Sequence, residues 1–342
     1  MEHDINLLRK YCLSDGISGN EDNIRDEIIK EISGCGVDYN VDALGNLIVF
    51  KKGRKRSSTK LMVVAHMDEV GLIVNHITQQ GYLGFDKVGG INTNILPGTN
   101  VLVGENKIPG VIGLKPIHLT KKTELAQPIN IKELFIDIGA RDSADAQKYI
   151  NLGDGAVFDS CFDCTNNRIL SKALDDRSGC FILTNMLKTD MEYDTYFVFT
   201  VQEEVGLRGA KTAAYTVNPD SAIVIEATTA NDIVGSDESG KICELNKGPA
   251  VSFMDRASIY NKTYYKLAMS LAGKNNIPIQ TKAGVTGGND AGSINLSRGG
   301  VKTIALSVPC RYLHTPAGII SRNDLENTYK LALLLAEEIS SM

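Results

Sequence analysis

The chain is 342 residues long, enough to bury a large core and to hold two domains. With 36 Lys and Arg against 41 Asp and Glu its formal charge is −5, which leaves no basic footprint for nucleic acid. The longest apolar run, Leu331-Ala-Leu-Leu-Leu-Ala336, is far too short to span a bilayer, so a membrane role is excluded as well. The acidic, polar start at Met1-Glu-His-Asp does not read as a signal peptide. Seven cysteines at irregular spacing fit reduced thiols in the cytoplasm better than a disulfide framework.

In chain order, Glu21 to Ile32 places Ile24, Ile28, Ile29 and Ile32 on one helical face, with Ser18 to Asn20 offering a cap. Leu47 to Phe50 and Leu61 to Ala65 read as strands. The basic run Lys51 to Lys60 between them reads as a solvated hairpin turn. From Gly71 to Asp163 the texture changes. Short strand-like pieces (Leu72 to Ile77, Val101 to Val103, Gly110 to Ile112, Leu134 to Ile138) alternate with Gly, Pro and Asn, and one helical stretch, Ser143 to Ile150, interrupts them. Residues 71–163 are thus expected to form a small β-rich insertion, with 1–70 and 164–342 making the main domain. Beyond it, a helix Arg177 to Leu187, strands Tyr196 to Gln202 and Ser221 to Ile225, a helix Tyr260 to Ala272, a strand Thr303 to Val308 and a helix Asp324 to Ile339 follow. Strands alternating with helices predict an α/β fold: a mainly parallel sheet flanked by helices.

Potential ligands gather at the strand exits. Leu61 to Ala65 runs into His66-Met-Asp68. Tyr196 to Gln202 ends in Glu203 and Glu204. Ala222 to Ile225 runs into Glu226, and Thr303 to Val308 leads to His314. Asp175-Asp176 opens a helix. Each alone is ordinary: a surface histidine, a helix-start carboxylate favoured by the dipole, a solvated Glu. Together they fall at the carboxyl edge of an open α/β sheet, where ligands bind. Nitrogen and oxygen donors without thiolate suit Zn, Co or Mn. Five donors exceed what one catalytic zinc takes, and fit two divalent ions about 3.5–4 Å apart sharing a carboxylate, with a bridging water as nucleophile. One of the paired glutamates is then free as general base, and Asp68 can fix the tautomer of His66.

Other motifs carry less. Cys161-Phe-Asp-Cys164 lacks a second ligand pair, and the glycine-rich stretch 284–292 matches no phosphate-binding fingerprint. His118 lies in the insertion, and His3 and His76 have no chemical context. Arg256 either attracts acidic substrates or sits in a structural ion pair.

His66-Met-Asp-Glu-Val-Gly71, Lys172-Ala-Leu-Asp-Asp-Arg177, Val201-Gln-Glu-Glu-Val-Gly-Leu-Arg-Gly-Ala210, Gly287-Gly-Asn-Asp-Ala291 and Arg311-Tyr-Leu-His314 occur in one order along the chain. They resemble the signature blocks of the TET-type dimetal aminopeptidases. These are clan MH metallopeptidases that include glutamyl and deblocking aminopeptidases, some once labelled endoglucanases. Gly89-Gly90, Leu96-Pro-Gly98 and Gly110 to Pro116 resemble that family's inserted PDZ-like dimerisation domain. The resemblance implies a cytoplasmic aminopeptidase acting on short peptides and assembled as a homododecamer from dimers. It implies Asp175 as bridging ligand, His66 and Glu226 on one metal, and Glu204 and His314 on the other. Glu203 is then the base and Asp68 orients His66. Glu226 stands where many members have Asp, and Asn289 where Thr is common. A dimetal amidohydrolase of acylated amino acids is the competing reading.

Overall fold

The structure, a computed structural model, describes residues 4–120, 127–237 and 240–342; His3 lies outside them. Helices α1 (Ile5–Leu13) and α2 (Asp22–Ile32) come first, then β1 (Asp38–Val41), β2 (Leu47–Lys51) and β3 (Leu61–His66). Next come β4 (Gly71–Ile77), β5 (Leu83–Val88), β6 (Asn100–Val103), β7 (Ile108–Gly113), β8 (Phe135–Asp137), α3 (Ser143–Ala146) and β9 (Gly155–Phe158). The chain continues through β10 (Asp163–Thr165), β11 (Arg168–Ser171), α4 (Leu174–Leu187), β12 (Thr195–Thr200), α5 (Arg208–Val217) and β13 (Ser221–Thr229). It closes with β14 (Ala250–Val251), α6 (Lys262–Lys274), β15 (Gln280–Thr281), α7 (Ala291–Ile294), β16 (Lys302–Arg311), β17 (Gly318–Ser321) and α8 (Arg322–Ser340).

Two separate sheets result. The large one runs β1-β2-β12-β3-β13-β16-β17-β11-β10, with β14 and β15 off the β16 edge. Its centre, β12-β3-β13-β16, is parallel. Antiparallel strands extend it on both sides, so the sheet is mixed rather than mainly parallel. The central strands are continuous buried runs, as expected when helices cover both faces: every residue of Leu61-Met-Val-Val-Ala-His66 is buried. Helix α4 is buried nearly all round, wedged between sheet and outer helices. In α8, Leu325, Tyr329, Ala332, Leu335, Ala336 and Ile339 recur at helical spacing on the inward face.

The second sheet is a closed barrel, β4-β5-β8-β7-β6-β9, with its own core of Leu72, Val74, Leu83, Phe85, Val103, Ile136 and Phe158. Closure removes the exposed edges that so short a set of strands would otherwise present.

Three local expectations need correction. The basic run 51–60 is not a hairpin turn, because β12 lies between β2 and β3 and pairs with both. Ser18 does not cap α2. Glu21 holds the cap position without a side-chain cap bond, and the Ser18 hydroxyl donates to Asp68 instead. Glu226 is not at a strand exit, since β13 runs on to Thr229. Among the described residues no helix is long and apolar enough to cross a membrane.

Candidate metal centre

Each site residue is delivered by a distinct device at one edge of the large sheet. His66 is the last residue of β3. Beyond β12 the chain turns through Gln202, in left-handed backbone with φ 56°, and presents Glu203 and Glu204. Asp175 sits in a non-helical kink at the start of α4 (φ −90°, ψ 111°), joined to Asp176 by a cis peptide bond. His314 follows β16 in left-handed backbone, φ 57°. The left-handed conformations of Gln202 and His314 survive where the surroundings over-determine them, which functional sites commonly do.

Asp175 stands between two imidazoles. Its Oδ1 lies 3.3 Å from His66 Nε2 and its Oδ2 3.3 Å from His314 Nε2. His314 Nε2 is also 3.1 Å from Glu204 Oε1. Ligand atoms of His66, Asp175 and Glu204 all fall within 4.8 Å of one another. Glu226 and Glu203 line the same cleft of about 290 Å³, together with Lys282 and His314. Glu226 stands apart from the tight trio, accepting from Ser307 Oγ at 3.3 Å.

The electrostatics are those of carboxylates crowded out of water. Burial pushes Glu226 up to about 8 against the opposing field of Lys282. Burial also raises Glu203 far above the carboxylate range; His66 opposes this, while Asp290 and Glu204 add to it. Asp175 goes the other way: burial is outweighed by the hydrogen bonds of His314 and His66. Burial disfavours charge on His314, yet Asp175 and Glu204 lift it to about 11. Burial also opposes charge on His66, yet the hydrogen bonds of Asp175 and Asp68 outweigh it, so both imidazoles act to balance the acidic cluster. A divalent cation would do so more strongly.

The donors fit such a cation. They are nitrogen and oxygen only, which suits a catalytic transition-metal site. Glu204 Oε1 is buried, and its polar neighbour His314 Nε2 at 3.1 Å meets it without hydrogen-bond geometry, which leaves the oxygen free to bind a cation. In both histidines the second ring nitrogen is already committed: His66 Nδ1 donates to the Asp68 carbonyl at 3.0 Å, and His314 Nδ1 to the Gly90 carbonyl at 2.9 Å. Both Nε2 atoms are thereby left to coordinate.

Asp68 does more than face His66. Its carboxylate, fully buried, lies 3.4 Å from His66 Nδ1. It accepts from the Ser18 hydroxyl at 2.6 Å and from the backbone amides of Glu203 and Glu204 at 2.9 and 3.1 Å. Asp176, the neighbour of the central carboxylate, is a structural cap: it accepts from the Gly179 amide at 2.9 Å and the His66 amide at 3.3 Å. Asn289 is buried, donating to Tyr260 Oη at 2.8 Å and accepting from the Ala291 amide, and it favours the ionised form of Glu226.

Sequence reasoning missed the buried cluster beneath the site. Lys172 Nζ donates to both Glu69 oxygens at 2.6 and 2.7 Å, and fully buried Arg177 reaches Glu69 at 3.5 Å and the Met67 carbonyl at 2.8 Å. Their adjacency to His66 and Asp175 was the only signal. Arg256 is exposed, and the cation lining the cleft is Lys282. All seven cysteines are free thiols, Cys161 exposed and Cys164 half-buried. His76 and His118 are exposed on the insertion.

A sequence profile of the M42 glutamyl aminopeptidases matches residues 45–331. The chain belongs to that family. It is therefore a hydrolase of peptide bonds. A lysyl aminopeptidase from Pyrococcus furiosus is 33% identical over 99% of this chain and 98% of its own length. Among solved structures, an aminopeptidase from the archaeon Desulfurococcus kamchatkensis superposes with TM-score 0.93 at 36% identity, covering 98% of this chain and 94% of that one. The Pyrococcus horikoshii TET1 peptidase, described as assembling into a tetrahedron or a large octahedral shell, has TM-score 0.85 at 39% identity, with 98% and 99% covered. The resemblance to the TET-type aminopeptidases is thus established across the chain.

Proposed function

We propose that this protein removes the N-terminal residue from short peptides with a pair of divalent ions, Zn, Co or Mn. Asp175 is the shared ligand, His66 and Glu226 serve one ion, and Glu204 and His314 serve the other. The observation that carries this reading is Asp175 turning one oxygen to each imidazole, with the Glu204 carboxylate 3.1 Å from one of them. The ions would supply charge to polarise the scissile carbonyl and acidify the attacking water. Glu203 takes that water's proton and returns it to the leaving amine. Its burial suits the task, because a raised carboxyl pKa lies closer to operating pH. Asp68 holds the Glu203-Glu204 turn and the His66 ring in register.

Residues 71–163 are proposed as the PDZ-like dimerisation module of a cytoplasmic homododecamer, with 1–70 and 164–342 as the catalytic domain. The self-associating neighbour supports this, as does the barrel's separate core. The family's glutamyl name and the lysyl relative point to opposite side-chain preferences. A substrate panel must therefore cover acidic, basic and apolar aminoacyl amides beside their N-acylated forms, since cleavage of the acylated forms alone would favour the amidohydrolase. The decisive variant is Glu203→Gln. Turnover should fall by about 10²–10⁴-fold while metal analysis still finds two ions per chain. Unchanged turnover removes Glu203 from the mechanism.

A further inference from the structure

We infer that the inserted barrel takes part in the metal centre: the carbonyl of Gly90 is the group that orients His314, and the Gly89-Gly90 loop shapes the His314–Glu204 half of the site alone. The inference rests on the ligand set proposed above.

The two histidines are held differently. The partner of the His66 ring is the Asp68 carbonyl, two residues away on the same strand exit. The partner of the His314 ring is Gly90, 224 positions earlier in the chain and just beyond β5 of the barrel. An imidazole offers a lone pair at Nε2 when its proton sits on Nδ1. A carbonyl oxygen, which only accepts, enforces that tautomer. His314 lacks the support of a strand, since it and Tyr312 are both in left-handed backbone. Its ring direction therefore depends on what it touches.

The loop is also pressed against the second ligand of the same half-site. Gly89 has φ +85°, and a Cβ there would lie 2.8 Å from Val70 Cγ1 and 3.2 Å from Glu204 Cβ. A Cβ on Gly90 would lie 3.3 Å from His314 Nδ1. Gly90 itself has no left-handed φ, so a side chain there meets the imidazole without backbone strain. The nearest neighbours of both positions are Val70, Glu204 and His314, none of them a ligand of the other half-site. Glycine at 89 answers both the left-handed backbone and the 2.8 Å approach, while at 90 any side chain would press on the imidazole.

The test is a titration of metal-stripped protein with Zn(II) in competition with a chromophoric chelator, with circular dichroism to confirm folding. Wild type should take up two equivalents. In Gly90→Val the side chain displaces the imidazole from the carbonyl, so one equivalent should bind as in wild type and the other about 10–100-fold more weakly, the usual cost of disturbing an outer hydrogen-bond partner. Asn94→Ala, exposed farther along the same loop, should keep both. A folded Gly90→Val that keeps both affinities, or loses both together, overturns the inference, as does the one-sided loss appearing in Asn94→Ala. If Gly90→Val does not fold, Gly90→Ala must show the same one-sided loss at smaller size, and its absence is equally fatal. A wild type that binds fewer than two ions overturns the ligand set itself, which separates the two failures.

Discussion

The large sheet and the inserted barrel contribute to the site in different currencies. The sheet delivers side chains: His66 at the end of β3, Glu226 within β13, Glu203 and Glu204 beyond β12. The barrel's closest approach is backbone, the Gly89-Gly90 loop resting on His314 and Glu204. Burial follows the same division, with the side chain of His66 only 5% exposed and that of His314 27%. Strands can fix a ligand by register alone, whereas a ligand on a turn needs a second body to hold it.

The strongest way to break this comparison is at the junction between the two bodies. Glu69 lies between the end of β3 and the start of β4, fully enclosed with Lys172 and Arg177. Glu69→Ala would leave two cations buried without their carboxylate. It should destabilise the protein by about 3–5 kcal/mol, the range for removing one partner of a buried pair. Urea unfolding of the metal-free protein measures this, and a midpoint equal to wild type would show that the cluster does not hold sheet and barrel together.

The next largest effect sharpens the contrast. Asp68 belongs wholly to the sheet side, but its carboxylate holds the amides of both Glu203 and Glu204 and flanks His66. Asp68→Ala should therefore weaken both metal equivalents by about 10–100-fold, where the Gly90 variant weakens one. Competition titration separates the patterns. A one-sided loss in Asp68→Ala would mean that its reach to Glu204 has no consequence.

The candidate site is more legible in the sequence than its surroundings, for physical reasons. Strand exits are marked by an abrupt change from apolar runs to ligand-type residues, so His66, Glu203, Glu204 and His314 stood out. Asp175 was visible but not separable from Asp176, because only the backbone kink sends one into the cleft and the other onto the Gly179 amide. The sequence pattern ends the strand at Ile225, whereas β13 continues through Glu226 to Thr229 as a buried strand. The Glu69, Lys172 and Arg177 cluster was invisible, because charged residues in a sequence look solvated until a fold encloses them. Strands β5 and β9 were missed for lack of a clean alternation: Leu83-Gly-Phe-Asp-Lys-Val88 breaks it with a glycine and adjacent charges. The pairing of β12 between β2 and β3 is non-local, so no window of sequence contains it. The Gly90 carbonyl is a main-chain atom, so nothing in the side-chain pattern announces its role.

The smallest effect concerns Glu21, which supports the sheet side from below. Its Oε1 accepts from the Gly19 amide at 2.8 Å and from the Gln202 amide at 3.1 Å, steadying the left-handed residue that introduces Glu203. Burial raises its carboxyl from 4.5 to about 7, against the pull of the Gly19 amide. The folded state then holds more protons than the unfolded between those values, so the carboxyl's contribution to stability is present below the lower value and is lost as pH rises to the upper one. In metal-free protein, Glu21→Gln removes this dependence. The stability difference between wild type and variant should therefore move against wild type between pH 4.5 and 7 and level off above. Parallel urea midpoints at pH 5 and pH 8 would show that Glu21 titrates alike in both states. The Gly90 carbonyl offers no counterpart to this titration, because it has no proton to lose. A difference between wild type and Glu21→Gln that lost its pH dependence in a Gly90→Val background would reverse the division of labour drawn between the two bodies.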